Sequence, residues 1–267
     1  MKAKLSIFAN ELIGTKLEPL GFEKRGDSWY KVLPDVVVCM GVRKTHGRGF
    51  DVSFGIVPFV CIPSLQLNMN CFQSGGAYNR SFKADVMSFY DRLYGIPEFA
   101  SDRFSYTIDS TTDALRSPDK YGILMEYWTD VINKTMLPFM LNVRDLETAM
   151  NEIGRYMKFS GHWDPAKMEL CNEEAYLYVH IPAFMKLKRT AEAIHFFGSF
   201  IKEQKSSCIK RGTTLEQQAE RALECRDYCS THLWCQMLID NNQSEMRHVV
   251  EELEKEAYSW LNATRLL

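Results

Sequence analysis

Four residues toward the C-terminal end have the types and spacing of a metal site. They are Cys225, Cys229, His232 and Cys235, separated by four, three and three positions. Thiolate and imidazole are ligands that zinc prefers. On one continuous α-helix, with about 100° between successive residues, the first three share a narrow arc and Cys235 lies about 60° behind. Four ligands on one straight helix cannot surround a tetrahedral ion, and structural zinc sites draw their ligands from separate segments. Cysteine also packs as a small apolar side chain on buried helix faces. The expectation is a core-facing stripe on one helix, in which Cys225, Cys229 and His232 are the three that a single ion could reach, and no metal ligand is assigned.

A second group is cationic. Lys24, Arg25, Arg43, Lys44, His46 and Arg48 could gather at one end of a β-meander, where a phosphate or nucleic-acid backbone would meet them. No aromatic stacking platform accompanies them, and Asp27, Asp35 and Asp51 dilute the field. A solvated hairpin edge, with lysine and arginine blocking edge-to-edge pairing, accounts for the same residues. Nucleic acid is therefore not expected as a partner. For hydrolysis, the six histidines are scattered, and neither Gly-x-Ser-x-Gly nor His-Glu-x-x-His occurs. Gly47-x-Gly49 is too short to cradle a phosphate and opens no helix. Glu173 and Glu174, beside Tyr176 and Tyr178, read as the wet side of a helix. Trp29, Trp128, Trp163, Trp234 and Trp260 read as core rather than as a ligand pocket. No catalytic or cofactor-binding residue, and no cofactor, follows from these patterns.

The elements that would position such groups change character along the chain. Residues 2–17 form an amphipathic helix with Leu5, Phe8, Leu12 and Ile13 on one stripe, ended by Pro19 and Gly21. From Leu17 to Phe59 the pattern predicts three or four short strands. Phe50, Val52, Phe54 and Ile56 alternate with Asp51, Ser53 and Gly55, the period of a strand with one buried face. Val36–Val42 is β-branched and less alternating, as in a strand covered more fully. Trp29–Leu33 is a shorter strand. Gly26-Asp27, Pro34-Asp35 and Gly47-Arg48-Gly49 supply the turns of an antiparallel meander. Leu65, Leu67, Met69 and Cys71 suggest a further strand, as do Phe104, Tyr106 and Ile108.

From about Lys120 the period becomes helical. Leu124, Tyr127, Trp128, Val131 and Ile132 share a face that runs to Pro138, and Leu146, Ala149, Met150, Ile153 and Met157 share another. Helices are then expected from Pro165, capped by Asp164, to His180; from Ala183 to Gln204; from Thr213, with Thr213-x-x-Glu216 as a capping box; and from Ser244, with Met246, Val249, Val250, Leu253, Ala257, Trp260 and Leu261 inward. No period of helical-repeat length appears. The fold class is α+β: an N-terminal helix on an antiparallel β-meander sheet, then a C-terminal helical bundle. The expected organisation is a sheet domain over residues 1–160 and a helical region over 161–267.

Composition sets outer bounds. The chain has 267 residues, 46% hydrophobic and 25% charged, with a net charge of −2, which suits a globular protein and gives no general attraction to polyanions. No signal-peptide core or membrane span is legible, so a cytoplasmic setting is expected, with the eight cysteines as thiols rather than disulfides. The Asn-x-Ser/Thr matches at Asn79, Asn133, Asn242 and Asn262 then carry no glycan.

The run Leu17, Leu20, Gly21, Phe22, Lys24, Arg25, Trp29, Tyr30, followed by Arg43, Lys44, Phe50, Val52, Phe54 and Gly55, resembles a bacterial family. That family is the domain of unknown function numbered four-three-zero-four. The resemblance covers the first quarter to half of the chain and implies an α+β fold in the bacterial cytosol. It implies no reaction. The functional expectation is a non-catalytic protein-binding or interaction module, whose partner is another protein and neither nucleic acid nor membrane. The alternative is a hydrolase or nuclease-like enzyme with a dispersed site. The oligomeric state is not legible.

Overall fold

A computed structural model describes residues 2–44, 50–65, 114–159, 163–164, 169–170 and 178–267. The fold is α+β, and the chain forms two compact units, neither contiguous in sequence. The described part of the first is 2–44, 50–57 and 114–152; that of the second begins at Pro58 and resumes at Ile153.

In the first unit, helix α1 begins as Lys2–Ala9, widens to a π turn over Asn10–Gly14 and closes as Thr15–Leu17. Its apolar stripe, Leu5, Phe8, Leu12 and Ile13, is buried. A 3₁₀ turn, Glu18–Leu20, then reverses at Gly21, whose φ of +81° suits a residue without a Cβ. Strands β1 (Glu23–Arg25), β2 (Ser28–Leu33), β3 (Val36–Lys44) and β4 (Phe50–Pro58) succeed it in sheet order. β2 pairs antiparallel with β1 and β3, placing Lys24 and Met40 on either side of Trp29 and Cys39 opposite Tyr30. Gly26 and Asp35 carry the positive φ values, 65° and 62°, that the two hairpin turns need. Val36, Val37, Val38, Cys39 and Met40 are all buried, so β3 is covered on both faces, as its β-branched run predicts. Phe8 of α1 meets Phe50 edge-on at 5.2 Å, which fixes the helix against the sheet.

A second long helix, α2, covers the sheet as well. It starts at Pro118–Val131, passes through a π turn at Ile132–Met136 and ends as Leu137–Asn142. Phe139 stacks on Phe54 at 6.2 Å. The helical face predicted from Leu124 to Ile132 is buried throughout. The expected stop at Pro138 is not observed. Proline has no N–H and crowds the preceding turn, and here the widened π turn lies immediately upstream, so the helix continues past it. Helix α3, Leu146–Phe159, buries Leu146, Ala149, Met150 and Ile153 as expected.

The described residues of the second unit are mainly helical. Leu65, expected in a strand, lies in a helical turn over residues 62–65 that comes after the 3₁₀ turn Phe59–Cys61. The other expected positions of that strand, and the strand at Phe104–Ile108, lie outside the described residues. The helix expected from Pro165 to His180 is corrected where it is described. Trp163–Asp164 (β5) and Glu169–Leu170 (β6) form a small antiparallel pair, so Asp164 does not cap a helix. Helix α4, Ile181–Lys186, is separated from α5, Thr190–Lys210, by Lys188 at φ +56°, whereas the sequence pattern runs the two together. Phe184 joins them, with its ring 5.9 Å from both Phe196 and Phe197. Helices α6 (Leu215–Glu224), α7 (Thr231–Asp240) and α8 (Gln243–Ala263) complete the chain. The capping box sits one residue later than expected: Gln217 N–H donates to Thr214 Oγ1 at 3.1 Å and Thr214 N–H to Gln217 Oε1 at 3.0 Å. Asn242 caps α8 by accepting from Glu245 N–H.

Two glycine substitutions and one cap substitution test this packing. A Cβ on Gly14 would lie 2.9 Å from Trp29 Cζ2 in a fully buried setting. Gly14→Ala should destabilise the protein by about 1–3 kcal/mol through overpacking. Gly122, exposed on α2 with no neighbour within 4 Å of a Cβ, should give the opposite sign on Gly122→Ala, by about 0.5–1 kcal/mol. Thr214→Ala should cost about 0.5–2 kcal/mol. Urea denaturation of the full chain measures all three, and equal effects at Gly14 and Gly122 would contradict the close approach.

Candidate functional site

The cysteine–histidine group is not on one helix. α6 ends at Glu224 with Cys225 as its C-cap, and the chain then turns through Arg226 at φ +54°, with Asp227 N–H donating to Ala222 O at 2.8 Å. Cys229 lies in the turn, and His232 and Cys235 ride on α7. The turn redirects the chain between ligands, which continuous periodicity does not register. Cys225 is exposed, Cys235 is buried, and Cys229 is half-buried near the Ser64 side chain. Burial pushes the Cys235 thiol up to about 12, with Cys208 close enough to add to the rise. Burial likewise raises Cys229 to about 11, opposed by the nearby Ser64 hydroxyl and reinforced by Glu256 and Asp227. His232 is held below its usual pKa by burial and then by the charge of Arg211. Among the described residues no group of three or more His, Cys, Asp or Glu is placed to hold a metal ion.

The basic residues are engaged locally where they are described. Lys24 donates to Asn10 Oδ1 and sits 5.4 Å from the Trp29 ring. Arg25 lies 3.9 Å from the Glu23 carboxylate on the same strand. Arg43 and Lys44 end β3, and His46 and Arg48 lie outside the described residues. Of the tryptophans, Trp29, Trp128 and Trp234 are buried, and Trp234 Nε1 donates to Tyr228 O at 2.8 Å. Glu173, Glu174 and Tyr176 are outside the described residues, whereas Tyr178 stacks on Phe200 at 4.6 Å.

A cleft of about 210 Å³ that no sequence motif announces lies in the second unit, between α4 with the turn after it and one face of α8. Met185, Met246 and Val250 are buried beneath it. Its rim carries Lys186, Lys188, Arg247, Glu251 and Glu254. Lys186 and Glu254 form an ion pair, each side chain only about one-fifth exposed (23% and 22%). Lys188 and Arg247 are bonded to no carboxylate among the described residues. Glu251 adds its charge to that of Glu252 in holding Lys255 above its usual pKa, the hydrogen bond from Lys255 to Glu252 being the larger cause. Along α8 the lining residues recur three and four apart, which is one helix face; its partner segment lies far away in sequence, so no local pattern marks the site.

Compared with protein-family models, with curated proteins and with solved structures, the chain matches none of them. Among the described residues no helix is long and apolar enough to cross a membrane.

Site-resolved alkylation tests the thiol assignments. At about pH 8, Cys225 should label first among the described cysteines, because reaction needs exposed thiolate. Cys229 should be far slower, and its rate should keep rising about tenfold per pH unit until the pH nears its raised pKa, about 11. Cys61 and Cys235 should label only on unfolding. Equal rates at Cys225 and Cys229 would refute the burial of the latter.

Proposed function

We propose that the protein is a non-catalytic protein-binding module of the bacterial cytosol, related through its N-terminal half to the domain-of-unknown-function family that Leu17–Gly55 resembles. The cleft between α4 and α8 carries this reading. A buried apolar floor ringed by charges of both signs has the composition of a small interface centre, where an anchor side chain is desolvated and the rim sets register. The α+β architecture and the lack of a spanning helix among the described residues are compatible with it.

Affinity purification at native expression, with partners identified by mass spectrometry and the binary complex rebuilt from purified components, tests the proposal. One reproducible partner that forms a complex of fixed stoichiometry with the full chain is the expected result. Absence of any reproducible partner across independent preparations would overturn it.

A further inference from the structure

The charges around the cleft do not balance. Lys186 and Glu254 form an ion pair, and Glu251, one helical turn from Arg247, is the other carboxylate on the rim, so the rim's three cations outnumber its two carboxylates by one. Lys188 and Arg247 remain, bonded to no carboxylate among the described residues. Arg247 stands exposed in the second turn of α8, on the cleft's edge. Lys188 is held at the cleft by its left-handed backbone at the close of α4. The same cleft is floored by the buried Met185, Met246 and Val250, and thioether side chains adapt to varied apolar shapes.

We infer that the cleft receives a peptide segment that seats an apolar side chain on the Met185–Met246–Val250 floor and sets a neighbouring carboxylate against Lys188 and Arg247. The inference rests on the protein-binding reading and narrows it to one cleft and one sign of charge. A volume of about 210 Å³ takes a side chain or two rather than the face of a folded domain. A small inorganic anion would leave the floor unused.

The test pans a random-peptide phage library on the full chain and titrates the enriched peptides, fluorescently labelled, by anisotropy. Enriched sequences should pair Leu, Met or Phe with a nearby Asp or Glu. Their binding should weaken about tenfold or more in a K188E and R247E double variant and should fall with added salt. Replacing the peptide's acid by lysine should restore binding to that variant. Lys188 and Arg247 are exposed, so an unchanged thermal transition confirms that the variant folds. Peptides with no acidic preference, binding indifferent to the double reversal, or a library that yields no binder would each overturn the inference. The protein-binding reading is judged separately, by the rebuilt complex with a natural partner, and survives if that partner docks elsewhere.

Discussion

The indole of Trp29 and the helix backbone that closes over it constrain everything else in the first unit. At Gly14 the helix comes so near the ring that any side chain would collide with it, and just beyond the helix Glu18 accepts from Trp29 Nε1 at 3.0 Å. One side chain of β2 is thus held by sterics from one turn of α1 and by a hydrogen bond from the next. The π turn at Asn10–Gly14 makes this possible, since a widened turn admits an extra residue and rotates the helix beyond it. Leu12, Ile13 and Leu17 then stay inward while Gly14, rather than a bulkier residue, meets the indole. With α1 fixed in this way, Phe8 reaches Phe50 on β4, and Tyr121 on α2 reaches Phe8 at 5.8 Å. Tyr121 also donates to the Glu11 carboxylate within the π turn; burial, then that bond, holds its phenol above the usual range.

Much of this unit is legible because strands declare themselves by period and by the residues that turn them. Among the described residues of the meander, Gly26 and Asp35 stand at the positive-φ positions, and the continuous apolar run of β3 foretells burial on both faces. The features that escape a sequence reading are too short or too irregular for a period to show. β1 is only Glu23–Arg25, with no apolar alternation to mark it. The π turns leave no signature in residue type, so Pro138 looks like a terminus when it is an interior residue of α2.

In the helical unit, periodicity misleads in a specific way. Cysteine and histidine recur at helical intervals from Cys225 to Cys235, but the chain leaves the helix at Arg226 and re-enters at Thr231. A break of this kind is set by the conformation of one residue and by the capping bonds of its neighbours, which spacing does not record. The same error joins α4 to α5, where Lys188 adopts a left-handed backbone with no glycine to announce it. The inward face of α8 is readable because it repeats over about four turns: Met246, Val249, Val250, Leu253, Ala257 and Leu261 are all buried, and of the expected positions Trp260 alone is only half-buried.

That same regularity explains why the cleft is invisible in the sequence. Met246 and Val250 belong to the stripe that holds α8 in the unit, and Met185 belongs to the buried run of α4. Their identities answer first to packing, where a change of volume is costly, so they offer an anchor without discrimination. Lys188, Arg247 and Glu251 sit at the edge of that stripe and support none of the core. Charge there can differ in sign or position at little cost to folding, since exposed ion pairs contribute only about 0–1 kcal/mol. If the cleft binds a peptide as proposed, the rim therefore selects it, around a Lys186–Glu254 pair whose side chains are only about one-fifth exposed (23% and 22%).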